Sequence, residues 1–123
     1  MKKRTSIILI ITIALVLLVG CTEKKEESKV VDYNKAKELI EKQHVTLIDV
    51  RDDWEYVDGH IEGAINIPLK EISKIEDTIE SKKEYIIVYC KSGMRSSNAL
   101  IELEKMGYTN VYDLGSIDNW VNE

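Results

Sequence analysis

Two short apolar runs limit the folds open to this chain more than any other feature. They are VTLIDV (Val45–Val50) and EYIIVYC (Glu84–Cys90), both rich in β-branched residues and almost unbroken by polar ones. A strand with one wet face alternates apolar and polar side chains. An unbroken run marks a strand covered on both faces, the usual condition of a parallel sheet. Parallel neighbours need long crossover connections, normally helices. The remaining sequence supplies them. VVDY (residues 30–33) reads as a short strand, and Asn34 as the cap of a helix with Ala36, Leu39 and Ile40 on one face. DDWEYVDG (52–59) reads as a short helix ended by glycine, and AINIP (64–68) as a strand closed by the only proline. Ile72, Ile75 and Ile79 fall at helical spacing. Ala99, Leu100, Leu103 and Met106 do the same in a helix ended at Gly107. NVYDL (110–114) reads as a last strand and SIDNWVNE (116–123) as a last short helix. The alternation predicts an α/β domain: a mostly parallel central sheet with helices on both faces. At 123 residues there is material for one such domain, not two.

The first 29 residues stand apart. A basic start, MKKRTS, precedes an apolar stretch (Ile7–Val19) too short for a confident span of about 20 residues. LVGC (Leu18–Cys21) then resembles a bacterial lipobox. The resemblance implies that residues 1–20 are a lipoprotein signal peptide, cleaved before Cys21. It also implies a diacylglycerol on the Cys21 sulfur and, in many bacteria, an acyl group on its amine. Residues 21–29, the lipidated cysteine and the charged TEKKEESK, then form a flexible tether reaching roughly 15 Å. The domain occupies 30–123, held at the extracytoplasmic face of the cell membrane. Losing residues 1–20 removes three basic residues and no acid, leaving 14 basic against 22 acidic, a net charge of −8. That balance speaks against nucleic acid as a partner and against electrostatic attraction to an anionic membrane. The anchor must be the lipid, and two or three chains suffice where one does not.

The chain has two cysteines, and the lipobox takes one. Cys90 is left as an odd thiol outside the cytoplasm, where thiols tend to be oxidised. It ends the strongest strand pattern, at the carboxyl edge where α/β sheets bind ligands. A cysteine there is either a packed hydrophobe or a nucleophile. The following residues argue for the nucleophile. Lys91 and Arg95 bring positive charge close. Gly93 permits positive φ, so the loop can turn its N–H groups inward as an anion nest. A helix begins near Arg95 or Ser96 and adds the partial positive charge of its N-terminus, with Ser96 as its cap. Such a ring favours a thiolate, the nucleophilic form, and equally a sulfur anion attached to it. His60 is a candidate general base, Asp49 and Arg51 candidates to fix neighbouring loops, and Trp54 and Trp120 candidate packing residues. One cysteine and two histidines at unrelated spacing give no metal signal, and no cofactor is expected.

Cys90-Lys91-Ser92-Gly93-Met94-Arg95-Ser96 resembles the rhodanese active-site loop, Cys-x-x-Gly-x-Arg-Ser/Ala. LIDVRDDWEY resembles the same family's Asp-x-Arg-x-x-x-Glu-Tyr/Phe segment at Asp49, Arg51, Glu55 and Tyr56. DGHIEGAINIP resembles its Gly-His-Ile-Pro-Gly-Ala-x-Asn-Ile-Pro segment, and LGSIDNW its Gly-Gly-x-x-x-Trp ending. Glu62 stands where the family commonly has proline. Ser116 stands where it commonly has a second glycine, a change expected to reshape the turn beside the site. The resemblance implies the rhodanese-like fold and sulfur transfer. Cys90 takes the outer sulfur of a donor such as thiosulfate as a persulfide and passes it to a thiol or to cyanide. The backbone of Lys91, Ser92, Gly93, Met94 and Arg95 cradles that sulfur, and Lys91 and Arg95 meet the anionic donor. His60 belongs to the family's scaffold segment. The expected partners are a small-molecule donor and a thiol acceptor, and the expected state a monomer. The alternative is a non-catalytic rhodanese-like module that binds a partner or senses redox state. Inactive members often lack the cysteine, and this chain keeps it. Phosphatases or arsenate reductases of the same fold fit less well: their Cys-x5-Arg loop is one residue longer than the four between Cys90 and Arg95.

Overall fold

The computed structural model describes residues 26–121. The expected signal peptide, Cys21 and the start of the tether lie outside the described residues, as do the last two residues of the chain. The elements run α1 (Tyr33–Lys42), β1 (Val45–Asp49), α2 (Asp53–Asp58), β2 (Ile65–Asn66), a 3-10 helix (Leu69–Asp77), β3 (Tyr85–Cys90), α3 (Met94–Lys105), β4 (Asn110–Ser116) and a 3-10 turn (Ile117–Asn119). The four strands form one sheet in the order β2-β1-β3-β4, and every pairing is parallel. The two runs singled out by composition, β1 and β3, are the central pair.

Both faces of that sheet are covered, which is why β1 and β3 can be apolar throughout. Ile86, Val88 and Cys90 of β3 face one way, into a cluster with Ile72, Ile75, Ala99, Leu100 and Leu103. Ile87 and Tyr89 face the other way, among Ala36, Leu39, Ile61 and Leu114. Each fully buried aliphatic side chain of this kind contributes about 1.5–3 kcal/mol of transfer free energy. α3 and the long 3-10 helix pack on the first face, α1 and the C-terminal turn on the second.

Several local expectations need correction. Asp32, not Asn34, caps α1, accepting from the Lys35 N–H at 2.9 Å. Ile40 does not join Ala36 and Leu39 inside; it is exposed. VVDY is no strand: Val30 makes a single bridge to Asp113, with Val31 N–H donating to the Asp113 carbonyl and Asp113 N–H to that of Lys29. AINIP shrinks to the two residues of β2, because β1 offers it only Ile48 and Asp49 as partners. The segment carrying Ile72 and Ile75 is a 3-10 helix, with Ile79 buried just past its end.

One irregularity bears on the site. Val88 pairs with Asp113, but Tyr89 pairs with Gly115 and Cys90 with Ser116. Leu114 is therefore an extra residue in β4, a bulge beside the carboxyl edge. Gly115, with φ of 79°, takes up the turn the bulge requires.

Candidate active site

Cys90 is the last residue of β3 and is fully buried. Burial alone does not separate a packed hydrophobe from a cradled nucleophile; polar contacts do. The Gly93 N–H points at Sγ with N at 2.9 Å, and the Ser96 hydroxyl lies 3.5 Å from it. Gly93 reaches this position because its φ is 94°, in the left-handed region, and it is the N-cap residue of α3. A side chain there would meet nothing closer than the Gly115 Cα at 3.7 Å, so conformation rather than space demands glycine. Ser96 does not cap the helix as expected. It is buried in the first turn, donating to the Gly93 carbonyl at 3.1 Å while facing the sulfur. No side chain caps α3. Its first N–H groups thus have no helical carbonyl to bond and stay open to an anion.

Lys91, Ser92 and Met94 are exposed around this point. Lys91 has no ion-pair partner among the described residues. Arg95 has one. Its Nη2 donates to Glu55 Oε1 at 3.2 Å, and its Nη1 lies 2.9 Å from Oε2 as a charge contact without hydrogen-bond geometry. The Glu55 hydrogen bond holds the guanidinium above its ordinary pKa, against the opposing pull of partial burial. Arg95 is therefore a neutralised cation tying α2 to the loop, and Lys91 is the unpaired one. The sequence pattern gives Glu55 a place in the segment that begins at Asp49 but no role. Its signal was indirect: an acid just after β1 faces the loop after β3 only because those strands are neighbours.

The strand end beside Cys90 is occupied differently. Asp49 is fully buried and Arg51 nearly so. The Asp49 carboxylate accepts from the Arg51 N–H at 2.9 Å, from Nε at 3.0 and 3.1 Å and from Nη2 at 2.7 Å. Nη2 also donates to the Gly59 carbonyl at 2.6 Å, so the pair ties the turn after β1 to the end of α2. Asn66 donates to the carbonyls of Asp49 and Arg51, both at 2.9 Å. The Asp49 hydrogen bonds raise the Arg51 pKa, opposed by desolvation. Burial pushes the Tyr89 hydroxyl well above its ordinary value, and that oxygen accepts from the Ile61 N–H at 3.1 Å. These residues fix loops, as expected of Asp49 and Arg51.

His60 is exposed, stacks on Tyr56 with centroids 3.7 Å apart, and sets Nδ1 2.8 Å from the Tyr56 carbonyl. Among the described residues it makes no hydrogen bond to Cys90. Trp120 packs against the second core cluster and meets Tyr33 edge-on at 5.1 Å. Trp54 corrects its expectation: it is 66% exposed on α2, a six-residue helix that turns only Glu55 and Tyr56 part-way inward.

Comparison with known proteins agrees with this geometry. The model of the rhodanese-like domain family matches residues 32–123. The chain is 42% identical over 71 residues to the thiosulfate sulfurtransferase PspE of Escherichia coli, covering 57% of this chain and 68% of that one. It is 28% identical over 93 residues to the thiosulfate sulfurtransferase GlpE of Coxiella burnetii, covering 75% and 86%. Among solved structures, an Escherichia coli rhodanese with anions is 39% identical with a TM-score of 0.59, over 61% of this chain and 89% of that one. The rhodanese-like domain of the Anabaena Alr3790 protein is 28% identical with a TM-score of 0.68, over 76% and 74%.

Proposed function

The chain belongs to the rhodanese-like domain family, and from that premise we propose that it is a sulfurtransferase working through a persulfide on Cys90. The observation that carries the reading is the sulfur itself: Sγ at the end of β3 with the Gly93 N–H at 2.9 Å, under an uncapped helix start. Those donors stabilise negative charge on sulfur, and they are fixed before the reaction begins.

The Cys90 thiolate attacks the outer sulfur of a donor such as thiosulfate. A new S–S bond forms at Sγ, the donor's own S–S bond breaks, and its electron pair leaves with sulfite. One negative charge stays on the enzyme's outer sulfur. A nucleophilic acceptor, a thiolate or cyanide, then attacks that outer sulfur and the Cys90 thiolate departs. One hard transfer becomes two easier ones. Lys91 attracts the dianionic donor to an otherwise acidic protein. The backbone from Lys91 to Arg95 holds the outer sulfur. The four-residue spacing from Cys90 to Arg95 makes a ring sized for one sulfur rather than for the three oxygens of a phosphoryl group.

The lipobox residues support a place at the membrane: Cys21 carries the lipid and residues 22–29 hold the domain at the extracytoplasmic face. Cys21→Ala should free the protein from membranes or leave it unprocessed; unchanged processing and anchoring would contradict lipidation. The catalytic reading is tested by incubating the full chain in detergent with thiosulfate and weighing it. One added sulfur is expected, lost with cyanide and absent in Cys90→Ser. If the protein never gains that mass and thiocyanate stays at background, thiosulfate sulfur transfer is wrong.

A further inference from the structure

We propose that Ser116, on β4, is a positioning residue for the sulfur-transfer loop: its hydroxyl locks the Lys91–Ser92 peptide so that the Ser92 N–H faces the transferred sulfur. The proposal rests on the sulfurtransferase reading and adds a residue to it.

The bulge at Leu114 is what brings Ser116 to the site. Continuing the register of Val88 with Asp113 would set Gly115 opposite Cys90; the extra residue sets Ser116 there instead. The Ser116 Oγ–H donates to the Lys91 carbonyl at 2.5 Å, and the same oxygen accepts from the Asp118 N–H at 3.1 Å. A hydroxyl has one proton. The Asp118 N–H engages one lone pair, and the proton goes to the Lys91 carbonyl. The C-terminal 3-10 turn is itself held down, because Asn119 Nδ2 donates to the Leu114 carbonyl at 2.8 Å. Lys91 is therefore tied, through one hydroxyl, to a strand and a turn that do not belong to its own loop.

The consequence follows from the peptide plane. No peptide bond among the described residues is cis. In a trans peptide the C=O of one residue and the N–H of the next point in opposite directions. Pulling the Lys91 carbonyl outward to β4 turns the Ser92 N–H inward. The inside of this loop is where the Gly93 N–H already meets Sγ. An outer sulfur bonded to Cys90 would stand about 2 Å beyond Sγ, within the arc swept from Ser92 to the first turn of α3. A donor fixed in advance costs no reorganisation when the sulfur arrives. A glycine at position 116 has no hydroxyl to do this.

The test compares Ser116→Ala, Ser116→Thr and the unaltered full chain in detergent. The rate of sulfur loading from thiosulfate is read by timed mass measurement, and kcat and KM by thiocyanate formation. Ser116→Ala leaves the Ser92 N–H present but unfixed. Its effect should be on the order of ten-fold, below the 10²–10³ that follows loss of a donor. The loss should fall on loading rate and kcat with KM for thiosulfate within about two-fold, because the lock serves the sulfur in transfer rather than the approaching dianion. Ser116→Thr, which keeps the hydroxyl, should recover the rate to within about two-fold. Loading by Ser116→Ala at the unaltered rate overturns the proposal while leaving the sulfurtransferase reading intact. A Thr variant as slow as the Ala variant also overturns it, since bulk and not the hydroxyl would then matter. If the unaltered chain takes up no sulfur, the sulfurtransferase reading fails and this proposal falls with it.

Discussion

The carboxyl ends of β1 and β3 lie side by side, with Asp49 and Tyr89 partners in register. Each carries a fully buried polar or nucleophilic side chain, Asp49 on one and Cys90 on the other. They differ in what surrounds it. Around Asp49, four hydrogen bonds from Arg51 satisfy the carboxylate, and Arg51 spends a further donor on Gly59. Around Cys90 there is one N–H donor, since the Ser96 hydroxyl spends its proton on the Gly93 carbonyl, and the helix start above them has no cap. A saturated polar cluster in a low dielectric is stiff and costly to disturb. An unsaturated ring of donors still has work to do when an anion arrives. The same edge of one sheet thus holds a strut and the proposed reaction site.

The sharpest way to break this comparison is Cys90→Ser. Sulfur loading and thiocyanate formation should fall to background while the thermal midpoint stays within a few degrees, since Ser is nearly isosteric. A large loss of stability would mean the cysteine was packing after all. Asp49→Ala should do the reverse. It strands a buried guanidinium, at a cost of about 3–5 kcal/mol, which lowers the melting temperature by at least ~12 °C in a domain this small. Replacing both partners, as in Asp49→Leu with Arg51→Met, should recover much of that. If Asp49→Ala melts within ~4 °C of the original, the strut is misassigned.

Gly93→Ala lies between the two. It forces a side chain into the left-handed region for about 1–3 kcal/mol and shifts the one N–H on Sγ, so loading should slow by roughly ten-fold or more. An alanine variant that loads normally would show that this N–H is incidental. The smallest effect belongs to Glu55→Gln. The pair it breaks is half-buried, 31% exposed at Arg95 and 13% at Glu55, but Gln keeps an oxygen to accept from Arg95, so stability should fall by only about 1 kcal/mol. The released Arg95 charge should lower KM for thiosulfate a few-fold at low salt and lose that advantage at high salt. A KM that rises instead would show that Glu55 holds Arg95 in a productive place.

Much of this was legible in the chain. The unbroken runs of β1 and β3 gave the parallel sheet, because burial on both faces leaves no polar phase in the sequence. The Cys90-to-Ser96 stretch located the loop, and Gly93 marked its turn. Boundaries were read less well. VVDY and AINIP look like strands by composition, but the neighbouring backbone offers one bridge and two residues of pairing. The cap of α1 went to Asp32 rather than Asn34, since both residue types cap well and local sequence does not rank them. Trp54 is expected to pack and stands in solvent, because the six-residue α2 lies at the surface and buries none of its residues fully.

The sequence by itself determined the fold class and that Cys90 ends a central strand just before a glycine turn, because periodicity and spacing act within a few residues of the chain. It did not determine what that sulfur's loop is tied to. Arg95 finds Glu55 across 40 positions, and Lys91 finds Ser116 across 25. Those meetings depend on β1 and β4 flanking β3, and on one extra residue in β4 that moves its register by a single step. No local pattern encodes such a step; only the packed sheet does. It decides that Arg95 is an ion-paired strut, that Lys91 has no ion-pair partner among the described residues, and that a serine hydroxyl stands beside the cysteine.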